Sequence, residues 1–207
     1  MIAKYLLISL VTAFATTAAA QGTDGTRLVV GPGSEVSFEG TSTLHAFHCR
    51  TTKLEATVNV DPTYMEARLS TLNRPLKTVD VVIPVKSLSC GNKGLEENML
   101  KALKADKYPE IRYQLSTYQV ASATTDDQVT LQAIGTLTVA GQTKTIDMLV
   151  KTDRGRDGAA TATGTQAILM TDFGIKPPVF MLGALKTGNK VVVSFKLNVS
   201  PRAIAAQ

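Results

Sequence analysis

From Glu35 to Val199 this chain of 207 residues keeps returning to one pattern, an apolar residue followed by a polar one. Side chains alternate between the two faces of a strand, so a period of two marks strands with one buried face. "SEVSFEG" sets Val36 and Phe38 against Glu35, Ser37 and Glu39. "KLEATVNV" turns Leu54, Ala56, Val58 and Val60 inward, and "VDVVIPV" does the same with Val79, Val81, Ile83 and Val85. "EIRYQLSTYQV" offers Ile111, Tyr113 and Leu115, "QVTLQAIGTLTV" offers Val129, Leu131, Leu137 and Val139, and "TKTIDMLVK" offers Ile146, Met148 and Val150. "KVVVSFKLNV" closes the series with Val191, Val193, Phe195, Leu197 and Val199. With "AATATGTQAIL" counted by position, about eight long strands result. Thr125-Asp126-Asp127, Ala140-Gly141 and Arg154-Gly155-Arg156-Asp157-Gly158 fall between consecutive strands and predict antiparallel hairpins. So many long strands need protected edges, and closing the sheet is the direct solution. A sandwich would bury the same residues, and the period alone does not separate the two.

Two segments break the alternation. "GLEENMLKALKADKYP" spaces Leu95, Met99, Ala102 and Leu103 along one helical face, with Glu96 and Glu97 in the first turn and Pro109 beyond the end. It predicts one short amphipathic helix, able to cover a mouth of the sheet. "TDFGIKPPVFMLGALKTGNK" is apolar yet rich in Pro and Gly, as expected of a packed loop or lid.

The first twenty residues combine Lys4, an apolar run from Tyr5 to Phe14 and Ala18-Ala19-Ala20. That is the pattern of a secretory signal peptide over residues 1–20, cut near Ala20, leaving one domain over 21–207 in the periplasm or outside the cell. Export to an oxidising compartment makes Cys49 and Cys90, the two cysteines of the chain, one expected disulfide. The net charge of +5 comes from scattered Lys and Arg with no basic run, which excludes a nucleic-acid partner. It leaves room for transient contact with a membrane surface.

The chain's two histidines, His45 and His48, lie with Cys49 in "STLHAFHC". Three residues apart on a strand they face opposite ways, and a zinc site needs three or four ligands. Ser42, Thr43 and His45 are better read as satisfying backbone groups where a strand bends. No nucleophile elbow and no carboxylate pair at hydrolytic spacing occurs. The sequence therefore predicts no enzyme, no metal and no cofactor.

The segments "VSFEGTSTLHAFHC", "VDVVIPVKSLSC", "LKADKYPEIRYQL", "AIGTLTVAGQTKTIDMLV", "TDFGIKPP" and "KVVVSFKLNV", in this order, resemble the YceI-like family of polyisoprenoid- or lipid-binding periplasmic proteins. The resemblance implies an all-β fold: a single extended eight-stranded antiparallel lipocalin-like barrel with one short helix. It also implies a long apolar channel that sequesters an isoprenoid or another long-chain amphiphile. On this reading Val36, Phe38, Val58, Val81, Ile83, Tyr113, Leu131, Leu137, Met148 and Phe195 line the channel, and Phe173 and Phe180 guard its mouth. Two rival readings are a structural barrel filled by its own side chains and a lipid-acting enzyme that uses His45 as base.

Overall fold

The computed structural model describes residues 26–65, 68, 74–180 and 185–201; the expected signal peptide lies outside them. The alternating segments form strands, eleven among the described residues. They are β1 (Thr26–Val30), β2 (Glu35–Ser42), β3 (Ala46–Thr51), β4 (Glu55–Val60), β5 (Leu76–Pro84), β6 (Glu110–Ala123), β7 (Gln128–Val139), β8 (Gln142–Arg154), β9 (Ala160–Leu169), β10 (Val179–Phe180) and β11 (Leu185–Pro201).

Pairing runs antiparallel from β1 through β4, β5, β6, β7, β8 and β9 to β11, and β11 returns to β1. The sheet is thus an eight-stranded closed antiparallel barrel with extra strands. Closure satisfies the backbone groups that an open sheet would leave at two edges. β7 and β8 are joined by Ala140 and Gly141, both at positive φ (49° and 78°), as a two-residue hairpin turn requires.

The sequence suggested about eight strands. The higher number arises because two positions in the wall are each built from two short strands, and because a two-residue strand, β10, pairs with β11 outside the ring. β11 is 17 residues long and pairs with β9 along one side. Its other side takes β1 against Val199–Pro201 and β2 against Thr187–Lys196. β3 pairs with β2, and β4 with β1. β3 then reaches the segment after β5 by a single bridge, in which Arg50 and Ser89 exchange backbone hydrogen bonds of 2.8 and 2.9 Å. The disulfide Cys49–Cys90 lies beside that bridge.

The predicted helix is α1 (Lys93–Ala102). The Asn92 side chain caps it by accepting a hydrogen bond from the Leu95 amide. Its apolar face packs on one end of the barrel, where Met99 and Leu103 join Cys49, Leu88, Phe38 and Phe47. At the opposite end a 3-10 turn (Pro62–Met65) inserts Tyr64, which is 3% exposed, into a cluster with Leu28, Val60, Tyr118 and Val129. Arg154 holds that turn in place: its guanidinium lies over the Tyr64 ring, donates to the Tyr64 carbonyl and pairs with Asp127.

Candidate functional site

The inward faces of the barrel border a cavity of about 370 Å³. On β7 both Val129 and Val139 line it, so it spans ten residues of strand. At a rise of ~3.4 Å per residue and a strand tilt of ~40°, that is a bore of about 25 Å. Among the described residues, no charged side chain lines it. The polar groups along it are a few amides and hydroxyls: Asn98 from α1, Gln166 from β9, Thr152, Thr187 and three tyrosines.

The ten residues expected to line a channel all border this cavity: Val36 and Phe38 from β2, Val58 from β4, Val81 and Ile83 from β5, Tyr113 from β6, Leu131 and Leu137 from β7, Met148 from β8 and Phe195 from β11. Phe173 borders it too, but not as a residue at an open mouth. It is 1% exposed and packs with Val139, Ala140 and Ile175 beneath α1. Of Phe180 only the backbone, in β10, falls within the described structure.

What keeps the bore open is where the aromatic rings lie. A Cβ placed on Gly164 would stand 2.6 Å from the Phe195 ring, which faces it across the β9–β11 ladder. A Cβ on Gly135 would stand 2.6 Å from the Tyr113 ring, and one on Gly40 would stand 2.5 Å from the ring of Phe47. Each ring therefore rests over a glycine, against the wall, where a larger residue would lift it into the bore. The rings supply apolar surface without blocking the axis.

This geometry sits within a recognisable group of proteins. The YceI-like domain model matches residues 29–199. The chain belongs to the YceI-like family. Solved structures agree in fold. BcnA of Burkholderia cenocepacia superposes with a TM-score of 0.64 at 18% identity, covering 82% of this chain and 98% of that one. A polyisoprenoid binding domain from Saccharophagus degradans, implicated in plant cell wall breakdown, gives 0.62 at 13% identity, covering 86% and 99%. A YceI protein of Campylobacter jejuni gives 0.54 at 18% identity, covering 74% and 84%. Curated proteins supply no match.

The histidines of this YceI-like chain stand apart from the bore. His45 is exposed in the turn between β2 and β3, its Nδ1 2.8 Å from the Ala46 carbonyl oxygen. Ser42 takes up the turn's backbone groups, bonding the amides of Leu44 and His45 and the His45 carbonyl. His48 is exposed on β3 opposite Glu39. Neither borders the cavity. Among the described residues no group of three His, Cys, Asp or Glu could hold a metal ion.

The lining also includes residues that alternation did not reveal. A bulge in β6 between Leu115 and Thr117 shifts the inward set by one, so Tyr118 rather than Thr117 enters the bore. Its hydroxyl accepts a 2.8 Å hydrogen bond from the Leu76 amide. Leu28 of β1 and Phe47 of β3 belong to strands too short to show a clear period. Burial pushes the hydroxyls of Tyr64 and Tyr113 up to about 12, so both remain neutral donors at any physiological pH.

Proposed function

We propose that this YceI-like protein is a lipid carrier of the periplasm or the extracellular space, holding an isoprenoid or another long-chain amphiphile in its bore. The observation that carries the reading is the cavity: about 370 Å³, running the length of the barrel, with no charge among the described residues that line it. An apolar cavity of ~150 Å³ already holds a benzene ring. Each methylene moved from water into such a space gains ~0.8 kcal/mol, so ten give ~8 kcal/mol before the costs of ordering the chain. Binding of this kind needs no specific polar contact, and the described lining, which carries no charge, brings no buried ion against a hydrocarbon chain. The family supports the reading, as does the S. degradans relative, described as binding polyisoprenoid. A barrel filled by its own side chains would have no such space.

Native mass spectrometry of protein purified from its own host is the test. The expected result is a near-stoichiometric adduct in the mass range of a lipid, recoverable by solvent extraction. Ala133→Phe should reduce it, because Ala133 borders the bore with 4% exposure and a ring there narrows the lumen. Wild-type protein that carries no extractable lipid would overturn the proposal.

A further inference from the structure

Six large apolar side chains stand exposed among the described residues, and three of them, Leu44 (68%), Val179 (55%) and Leu169 (42%), gather at one end of the barrel. Backbone pairing places them there. Lys186 of β11 pairs with Val179 of β10. The Lys186 amide donates to the Thr43 hydroxyl, and its carbonyl accepts from the Thr43 amide, each at 3.0 Å. The turn that carries Leu44 therefore lies beside the β10–β11 pair. Leu169 pairs with Lys190 farther along β11. Lys176, in the segment that leads into β10, is exposed, as are Lys186 and Lys190. Among the described residues none of these three lysines pairs with a carboxylate. Residues 169–180 and 185–190 hold them against one acid, Asp172, so the strip is net basic. The opposite end differs, since Arg154–Asp127, Lys77–Asp61 and Arg68–Asp126 match its charges. The strip also adjoins the bore: Pro178 and Thr187, joined by a 3.0 Å backbone hydrogen bond, line the cavity next to Val179 and Lys186.

Resting on the carrier reading above, we propose that this rim docks on a bilayer whose surface carries anionic phospholipid. Lys176, Lys186 and Lys190 meet the phosphate groups, and Leu44, Val179 and Leu169 reach the acyl boundary. Apolar side chains flanked by free lysines are the pairing that an interfacial membrane contact needs. Charge decides the occupant. A second copy meeting this face through a two-fold axis would set the same lysines against one another, whereas anionic headgroups complement them. Docked this way, the end of the bore lined by Pro178 and Thr187 faces the lipid, and a chain passes between bilayer and bore without crossing water.

Flotation of protein purified from its own host, with phosphatidylethanolamine vesicles that contain or lack phosphatidylglycerol, tests this. Wild-type protein should float with the anionic vesicles and be released as salt is raised. Lys186→Gln with Lys190→Gln should weaken binding roughly ten- to thirtyfold, at ~fivefold per lysine. Lys151→Gln with Lys196→Gln removes the same charge from the outer wall and should weaken it by less than about threefold. Leu44→Ser with Val179→Ser should weaken it by at least about threefold, with the thermal midpoint unchanged because both side chains are exposed. Equal weakening by the two lysine pairs would overturn the docking surface. So would a dimer in light scattering that Leu44→Ser with Val179→Ser dissolves, without vesicle binding, since the patch would then belong to a second copy of the chain. Wild-type protein that carries a lipid adduct yet stays off anionic vesicles would also overturn it and leave the carrier reading standing. Vesicle binding by protein that carries no lipid would do the reverse.

Discussion

Gly164 and Phe195 show how much of this lumen depends on single residues. The Phe195 ring rests where a Cβ on Gly164 would be, and the Leu149 carbonyl oxygen lies 3.0 Å from the same point on the other side. Gly164→Ala cannot settle without moving the ring, so it should destabilise the protein by ~1–3 kcal/mol in chemical denaturation and reduce bound lipid. Phe195→Leu in the same chain should recover part of that loss. The two substitutions should couple by ~0.5 kcal/mol or more, because one ring mediates both effects. The tyrosines offer a second check at this scale. Burial raises the hydroxyls of Tyr64 and Tyr113 from 10 to about 12, so the folded state holds these protons more tightly than the unfolded chain. Their contribution to stability is complete below about pH 10 and disappears as the pH climbs to about 12. Tyrosinate absorbance of the native protein should lag behind that of the unfolded chain across this window, and Tyr113→Phe should shrink the lag.

At the scale of elements, the long strands were legible because each buries one face along most of its length. β7 presents Val129, Leu131, Ala133, Leu137 and Val139, and β11 presents Val191, Val193, Phe195, Leu197 and Val199, on one face, and the structure turns those positions inward. The helix was legible for the same reason at a different period, and Asn92 adds the cap that alternation cannot signal. Irregularity was not legible. The β6 bulge moves Tyr118 into the bore through backbone geometry alone, and no residue type announces it. β3 hid behind its histidines: the stretch read as a bend is a tight turn at Ser42–His45 followed by a separate strand. That strand meets the segment beyond β5 through the Arg50–Ser89 backbone bridge and a 2.8 Å hydrogen bond between the Thr51 and Ser87 hydroxyls, and the Cys49–Cys90 link is the covalent fastening of this part of the wall. Closing a loop of 41 residues should stabilise by ~4 kcal/mol in the chain-entropy view. Cys49→Ala with Cys90→Ala should therefore lower the unfolding midpoint. It should also speed hydrogen exchange at the Arg50 and Ser89 amides far more than at β7, because the bridge is local and the β7 ladders are long.

The whole molecule adds what neither residues nor elements contain, which is closure. Alternation along a strand says that one face is buried but not what buries it, so barrel and sandwich stayed equal until the family pattern favoured one. The decision in the structure rests on five residues, Thr26–Val30, which pair with β4 and β11 at once and complete the ring. Leu28 at their centre is 1% exposed. A closed wall around an unfilled axis has a thermodynamic consequence. The lining side chains lack partners on the lumen side, so the empty barrel forgoes contacts that a filled core would make, and a chain in the bore restores them. Ligand that binds only the folded barrel must then stabilise it by mass action, by ~2.7 kcal/mol at a free concentration one hundred times its dissociation constant. For a domain of this size that corresponds to a rise of roughly 5–10 °C in the midpoint of thermal unfolding. Protein stripped of lipid and then reloaded should show that rise, with larger shifts at higher ligand concentration. Ala133→Phe should melt at nearly the same temperature with and without the lipid, since its ring occupies space the ligand would otherwise take. Equal melting of stripped and loaded wild-type protein would mean that the bore is not where the lipid goes.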